Sequence, residues 1–266
     1  TLDGADTGDG AAEEVAAEVR ARGGEAVVHG GDVADWDDAA GLVRLAVDTW
    51  GRLDVLVNNA GIIRDRMIFA MTEDEFDSVV RVHLKGHFCT LRHATAWWRD
   101  QSKATGEPVY ARVVNTTSEA ALLGSPGQPN YAAAKSGIIG LTQSTAFGCA
   151  KYGVRANAIA PRARTRMTEG VFGDAEADAD PLAPEHVAPL VAWLASPAAA
   201  HVTGQVFVAY GGFVGLMGGP TLRHRVDAPT GHWDADALGK ALDEELGGAG
   251  AKLTYMARDL MGIDAG

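Results

Sequence analysis

Four apolar runs organise the first 211 residues, and stretches with helical periodicity lie between them. Residues 53–57 (LDVLV), 111–115 (ARVVN), 154–160 (VRANAIA) and 205–209 (QVFVA) are near-continuous runs of apolar or small side chains, broken by Asp54, Arg112, Asn115, Arg155, Asn157 and Gln205. A strand with one wet face alternates; a near-continuous apolar strand is covered on both faces, as in parallel sheets. Helical patterns over residues 11–22, 36–50, 73–98, 130–152 and 185–195 supply the covering layers. Gly23-Gly24 ends the first of these, and Thr72 is placed to cap the third. Residues 25–29 read as a further short strand. The alternation predicts the α/β class, with a doubly wound parallel sheet wrapped by helices on both faces.

Composition excludes several other classes. With 266 residues and 47% hydrophobic content the chain can bury a large core, and two cysteines are too few for a disulfide scaffold. Cys89 and Cys149 read as reduced thiols of a cytoplasmic protein. No stretch is long and apolar enough to suggest a membrane span. The opening TLDGADTGDG lacks the basic flank and apolar centre of a signal peptide. Thirty-five acidic against 23 basic residues give a net charge of −12, which argues against nucleic acid and anionic lipid as partners. Residues 175–184 are acidic and Pro-bearing, as in a loop. Beyond Gly211 the pattern weakens to one amphipathic helix near 234–246. The expected division is therefore a core over 1–211 and an extension over 212–266 packed on it.

In an open α/β sheet, ligands gather at the carboxyl ends of the strands. Tyr131 and Lys135 are four apart on one helix and share a face. A tyrosine hydroxyl is a poor base at neutrality, and a nearby ammonium favours the phenolate. Such a pair can exchange a proton with a substrate alcohol. Ser118 precedes Tyr131 by 13 positions and follows the 111–115 strand, where a hydroxyl can hydrogen-bond a substrate oxygen. Asn58-Asn59-Ala60-Gly61 closes another strand, and its glycine permits close approach of a ligand. Singly, each has an ordinary reading: a solvated lysine beside a core tyrosine, a turn-forming serine, a strand-ending turn.

Together and in this order, these residues closely resemble the short-chain dehydrogenase/reductase family. Asp32-Val33 after an early strand, Pro126-Gly127-Gln128-Pro129 before Asn130-Tyr131, and Thr203-Gly204-Gln205 at the last strand extend the likeness over residues 32–212. The resemblance implies a Rossmann-like fold and an NAD(P)-dependent interconversion of a secondary alcohol and a ketone by hydride transfer. It implies Tyr131 as general acid/base, Lys135 lowering its pKa and holding the nicotinamide ribose, and Ser118 orienting the substrate oxygen. It places Asp32 and Val33 beside the adenine, and Asn59, Ala60 and Gly61 on the adenosine side. Pro161 falls at the cofactor mouth and Thr165 at the carboxamide. It also implies a homo-oligomer, dimer or tetramer, built on the two long helices.

A narrower likeness rests on Ile63 to Arg66, Val82-His83-Leu84-Lys85-Gly86, Ile159-Ala160-Pro161 with Arg166-Met167-Thr168, and Pro184 to Val191. These are similar to the (3R)-hydroxyacyl-CoA dehydrogenase branch, which implies a 3-hydroxyacyl-CoA thioester as substrate and NAD rather than NADP. Two other readings stand beside it. One is a ketoreductase or alcohol dehydrogenase acting on a free polycyclic or polyketide ketone. The other is a truncated, non-catalytic subunit that pairs with an active relative.

Three departures from the family pattern matter. His83 stands where the family has an asparagine that helps hold a relay water. An imidazole both donates and accepts, so His83 is a catalytic candidate as well as a candidate for a plain buried helix histidine. His83 and His87 have metal-ligand spacing but no evident third ligand, so no metal is expected. Arg162 replaces the common glycine after Pro161. With Arg164 and Arg166 it offers guanidinium groups to CoA phosphates, or equally to Asp174, Glu176, Asp178 and Asp180. Finally, Gly4, Gly8 and Gly10 mimic a phosphate loop, but no adequate strand precedes them and Asp6 and Asp9 would repel pyrophosphate. The expectation is that one β-α-β unit of about 35 to 40 residues is absent ahead of Thr1. The 25–29 strand would then lose its neighbour, and nicotinamide affinity would suffer.

Overall fold

Strands β1 (Val55–Asn58), β2 (Ala111–Thr116), β3 (Val154–Pro161), β4 (Val206–Tyr210) and β5 (Phe213–Leu216) form one sheet in that order. The computed structural model describes residues 10–165, 168, 180–219, 225–229 and 231–246. β1 to β4 run parallel, in a register that sets Asn58 beside Asn115 and Thr116 beside Ile159. β5 is antiparallel to β4 across a tight turn at Gly211-Gly212. This hairpin was not anticipated, because four residues with one glycine carry too little pattern.

Central position explains the continuous apolar runs. Every residue of β2 is buried. Val113 packs with Val43, Leu91, Trp98 and Ala156 on one face. Its neighbour Val114 packs with Ile159, Leu190, Leu194 and Phe207 on the other. The first face is covered by helices α2 (Trp36–Trp50), α4 (Gly86–Thr105) and α6 (Pro129–Cys149), the second by α7 (Ala188–Ala195). Helix α1 (Gly10–Ala21) precedes them, and α8 (Ala235–Leu246) lies in the C-terminal part. Two compact units divide the chain, Thr1–Met217 and Gly218–Gly266. Among the described residues, no helix is long and apolar enough to cross a membrane.

Local signals set the helix ends. Asp35 caps α2 by accepting from the N–H groups of Asp37 and Asp38. Thr72 opens α3 (Glu73–Val80) with a reciprocal capping box to Glu75. The helix expected over 73–98 is interrupted by a π-turn, Arg81–Lys85, before α4 runs on to Thr105. That turn carries His83. The helix expected over 130–152 ends at Cys149 and tightens into a 3₁₀ turn, Ala150–Tyr152. Gly153, at φ 95°, then reverses into β3 where a Cβ would lie 2.0 Å from the Val109 carbonyl oxygen.

The strand expected at residues 25–29 does not form: this segment has no ladder among the described residues. Side-chain bonds hold it instead. Trp50 Nε1 donates to Glu25 at 2.8 Å, and Arg20 donates to the Ala26 carbonyl. A strand needs a neighbour, and no strand among the described residues pairs with this segment. Residues 1–9, Arg166, Met167 and residues 175–179 of the acidic stretch fall outside the described residues, so the Gly4–Gly8 loop and Arg166 are not placed.

Candidate active site

The carboxyl ends of β1, β2 and β3 converge with the first turns of α6. Thr117 follows β2 and is fixed twice: its N–H donates to the Ile159 carbonyl at 2.7 Å, and its hydroxyl donates to the Lys135 carbonyl at 2.8 Å. Ser118 comes next. Its Oγ accepts from the Ala120 N–H at 3.2 Å, and the Ser118 hydroxyl lies near enough to the Tyr131 phenol to lower its pKa. Lys135 is buried on the same face of α6, and its Nζ donates to the Thr116 carbonyl at 2.7 Å. That Nζ lies 5.4 Å from the centre of the Tyr131 ring. Ser118, Tyr131 and Lys135 are thus brought together.

Burial sets the electrostatics. Desolvation pulls the Lys135 ammonium down to about 7. Desolvation also pushes the Tyr131 phenol above its ordinary value; the Ser118 hydroxyl opposes this and the Asp65 carboxylate adds to it. The sequence argument had the ammonium lowering the phenol. Here Lys135 sits against the ring and is turned to a carbonyl, while burial dominates at the hydroxyl.

His83 is buried edge-on to Tyr131, with ring centres 5.1 Å apart and planes at 90°. Its Nε2 is 2.8 Å from the Ile62 carbonyl oxygen, to which it donates in the Nε2–H tautomer, while Nδ1 has no partner. Burial first, and Lys135 second, hold His83 at about 3, so it is neutral. Gly61 makes room for this ring: a Cβ there would lie 2.2 Å from His83 Cε1. One turn on, His87 is buried and held at about 4, chiefly by desolvation.

Asp32 accepts from the Ala34 N–H on one oxygen and pairs with Arg81 at 2.5 Å on the other. Val33 is half-buried under α4, where a Cβ on Gly86 would meet its Cγ2 at 2.9 Å. Asn59 accepts from the Thr116 hydroxyl at 3.0 Å, and Ala60 is exposed. Pro161 ends β3 opposite Ala209, and the Thr165 N–H donates to the Thr168 hydroxyl at 2.8 Å.

The arginines are engaged within the protein. Arg162 clasps Glu119 with two guanidinium nitrogens, and Arg164 pairs with Asp180 at 2.8 Å. Of these partners only Asp180 belongs to the acidic stretch named above; Glu119 lies outside it.

Sequence reasoning missed two supports. Thr90 donates to Asn58 at 2.8 Å, Asn58 to Asn115 at 2.9 Å, and Asn115 to the Thr142 hydroxyl at 2.9 Å, all buried. An amide ending each of two apolar strand runs was the available signal. Asn130 donates to the carbonyls of Arg64 and Glu75 and accepts from the Tyr131 N–H, fastening the head of α6 to the loop after β1.

Comparison with known proteins agrees with this geometry. Residues 4–214 match the family model described as enoyl-(acyl carrier protein) reductase. The chain is 48% identical over 254 residues to a hydroxyacyl-CoA dehydrogenase, ChsB1, of Mycobacterium tuberculosis, covering 94% of this chain and 80% of that one. It is 40% identical over 210 residues to mouse peroxisomal multifunctional enzyme type 2, covering 79% of this chain and 27% of the relative. A crystal structure of a short chain dehydrogenase from Mycobacterium avium superposes with a TM-score of 0.81 at 54% identity, over 89% of this chain and 79% of that one. The chain belongs to the short-chain dehydrogenase/reductase family, and is a nicotinamide-dependent oxidoreductase with that family's Rossmann-like fold.

Proposed function

We propose that this chain interconverts a 3-hydroxyacyl-CoA and the matching 3-oxoacyl-CoA, with Tyr131, Ser118 and Lys135 as its catalytic residues and NAD as the preferred cofactor. The observation that carries the reading is the half-buried Tyr131, with the Ser118 hydroxyl beside its phenol and the buried Lys135 Nζ 5.4 Å from its ring centre. The substrate class is supported by identity to the hydroxyacyl-CoA dehydrogenase named above.

In the reducing direction Ser118 donates to the ketone oxygen and holds it at the phenol. Tyr131 gives its proton to the forming alkoxide. A phenol kept protonated by burial suits this role. Lys135 uses one ammonium proton on Thr116 and retains two donors for the ribose hydroxyls. His83, neutral and with one open ring nitrogen, accepts a hydrogen bond from water or ammonium in the relay that restores the Tyr131 proton. When bound, the nicotinamide supplies or accepts the hydride.

The residues fit the nicotinamide end of such a cofactor. They fit the other end less well. The described residues include no glycine-rich strand-to-helix turn for the pyrophosphate, while Asp32, partnered once on each oxygen, keeps lone pairs for a further donor.

A second reading, reduction of a free ketone, is favoured by one observation. Arg162 and Arg164 are committed to Glu119 and Asp180, which leaves the CoA phosphates without those two contacts. NADH fluorescence titration, followed by turnover of a 3-oxoacyl-CoA against the corresponding free ketone, separates the two. A kcat/KM at least tenfold higher for the thioester supports the first reading. A preference for the free ketone replaces it with the second.

A further inference from the structure

Arg162, one residue past β3, meets Glu119, three residues past β2, from 43 positions away in the chain. Their side chains are only 18% and 12% exposed. The contact is side-on and bidentate: Arg162 Nε meets one Glu119 oxygen and Nη2 the other, the latter at 2.9 Å. This planar fork fixes the carboxylate in direction as well as distance. The arginine is itself held. Its N–H donates to the Ala209 carbonyl at 3.0 Å, and Tyr210 lies with its ring centre 5.3 Å from the guanidinium carbon. Glu119 is the residue after Ser118 and sits at the head of the short helix α5 (Ala120–Leu123).

Ser118 has strong fixtures on its upstream side, where Thr117 is bonded to β3 and α6. Downstream, Ser136 donates to the Ala121 carbonyl at 2.9 Å, three residues away. Between these points the Glu119 carboxylate supplies the side-chain anchor. The peptide it orients is the one whose neighbour, the Ala120 N–H, donates to Ser118 Oγ.

We propose that Arg162 and Glu119 are a positioning pair that holds Ser118 in line with Tyr131 by tying the end of β2 to the end of β3. This rests on the catalytic role of Ser118 stated above. A glycine after Pro161 can form no such tie, so the arginine marks a different way of setting the serine.

The test is a double-mutant cycle with two readouts. One is kcat with NADH and a 3-oxoacyl-CoA at saturation. The other, free of cofactor, is the ¹³Cζ chemical shift of Tyr131 (assigned with Tyr131→Phe), which reports the phenol's hydrogen bond at fixed pH. Glu119→Gln is expected to lower kcat about tenfold or more, since small misplacements at a reacting centre have such effects. It is expected to move the Tyr131 resonance in the same direction as Ser118→Ala. In the Ser118→Ala background, Glu119→Gln then changes neither quantity further. Because a half-broken buried pair can unfold a protein, the double variant Glu119→Leu with Arg162→Met is made in parallel, where no charge is left unpaired. It is expected to fold with kcat still lowered. Unchanged kcat in either variant, or losses that multiply with that of Ser118→Ala, overturns the positioning pair while leaving the serine's role intact. An unchanged kcat in Ser118→Ala overturns the serine's role and the pair with it.

Discussion

Replacing Gly61 with alanine tests the fit between the turn after β1 and the π-turn. The new Cβ would lie 2.2 Å from His83 Cε1 and 3.0 Å from each ring nitrogen. Neither side can yield cheaply. His83 is 1% exposed, its Nε2 is bonded to Ile62, and its ring is packed against Tyr131. Overpacking of this kind destabilises by about 1–3 kcal/mol, and losing the buried histidine bond adds roughly 1 kcal/mol. A total of about 3 kcal/mol corresponds to a Tm lowered by roughly 6–12 °C for a chain of this size. Thermal denaturation followed by circular dichroism measures it. The variant His83→Ala removes the obstacle, so the same glycine change in that background is expected to lower Tm by no more than about a third as much. An unaltered Tm in Gly61→Ala, or an equal loss with and without His83, refutes the reasoning.

Other outcomes follow from the same geometry. Tyr131→Phe is expected to reduce turnover by about 10²–10⁴-fold with Tm unchanged within a few degrees, as measured by steady-state NADH oxidation. Folding holds Lys135 at about 7 against an ordinary 10.5, so above pH 7 the unfolded chain carries the extra proton and folding gains from rising pH. The stability of wild type minus that of Lys135→Met, from urea unfolding, should therefore increase between pH 7 and 10; a flat or falling difference contradicts it. His83 and His87, held at about 3 and 4 against 6.5, act in the same sense at lower pH. Stability should fall on acidification from about pH 6.5, and His83→Asn should lose less than wild type between pH 7 and 5 in the same assay. Thr72→Ala, which removes the capping box of α3, should destabilise by about 1 kcal/mol, a Tm change of roughly 2–4 °C.

The sequence was most legible where one requirement fixed several residues. The four parallel strands were found because burial on both faces demands unbroken apolar runs. Tyr131, Lys135 and Ser118 stood out because their order and spacing together resemble a known family, whereas each singly had an ordinary reading. Residues 25–29 misled because strand propensity is local while strand formation needs a neighbour. β5 was invisible for the opposite reason, since its neighbour is present but its own pattern is too short. The π-turn at Arg81–Lys85 leaves no mark on helical periodicity, and the Arg162–Glu119 tie joins segments that only the folded sheet brings together.

The chain of buried amides from Thr90 through Asn58 and Asn115 to Thr142 also works as an index mark between strands. If β1 slipped by one residue so that Val57 faced Asn115, the Asn58–Asn115 bond would be lost and its donor and acceptor left dry. Aligned registers are thus separated by a step of about 3.3 Å, with no stable setting between them. Asn59 and Thr116, one residue beyond the mark on their strands, inherit that alignment and confirm it with their own bond. The height at which Ser118 emerges is therefore settled when two asparagines meet in the core, several residues away from any atom a substrate would touch.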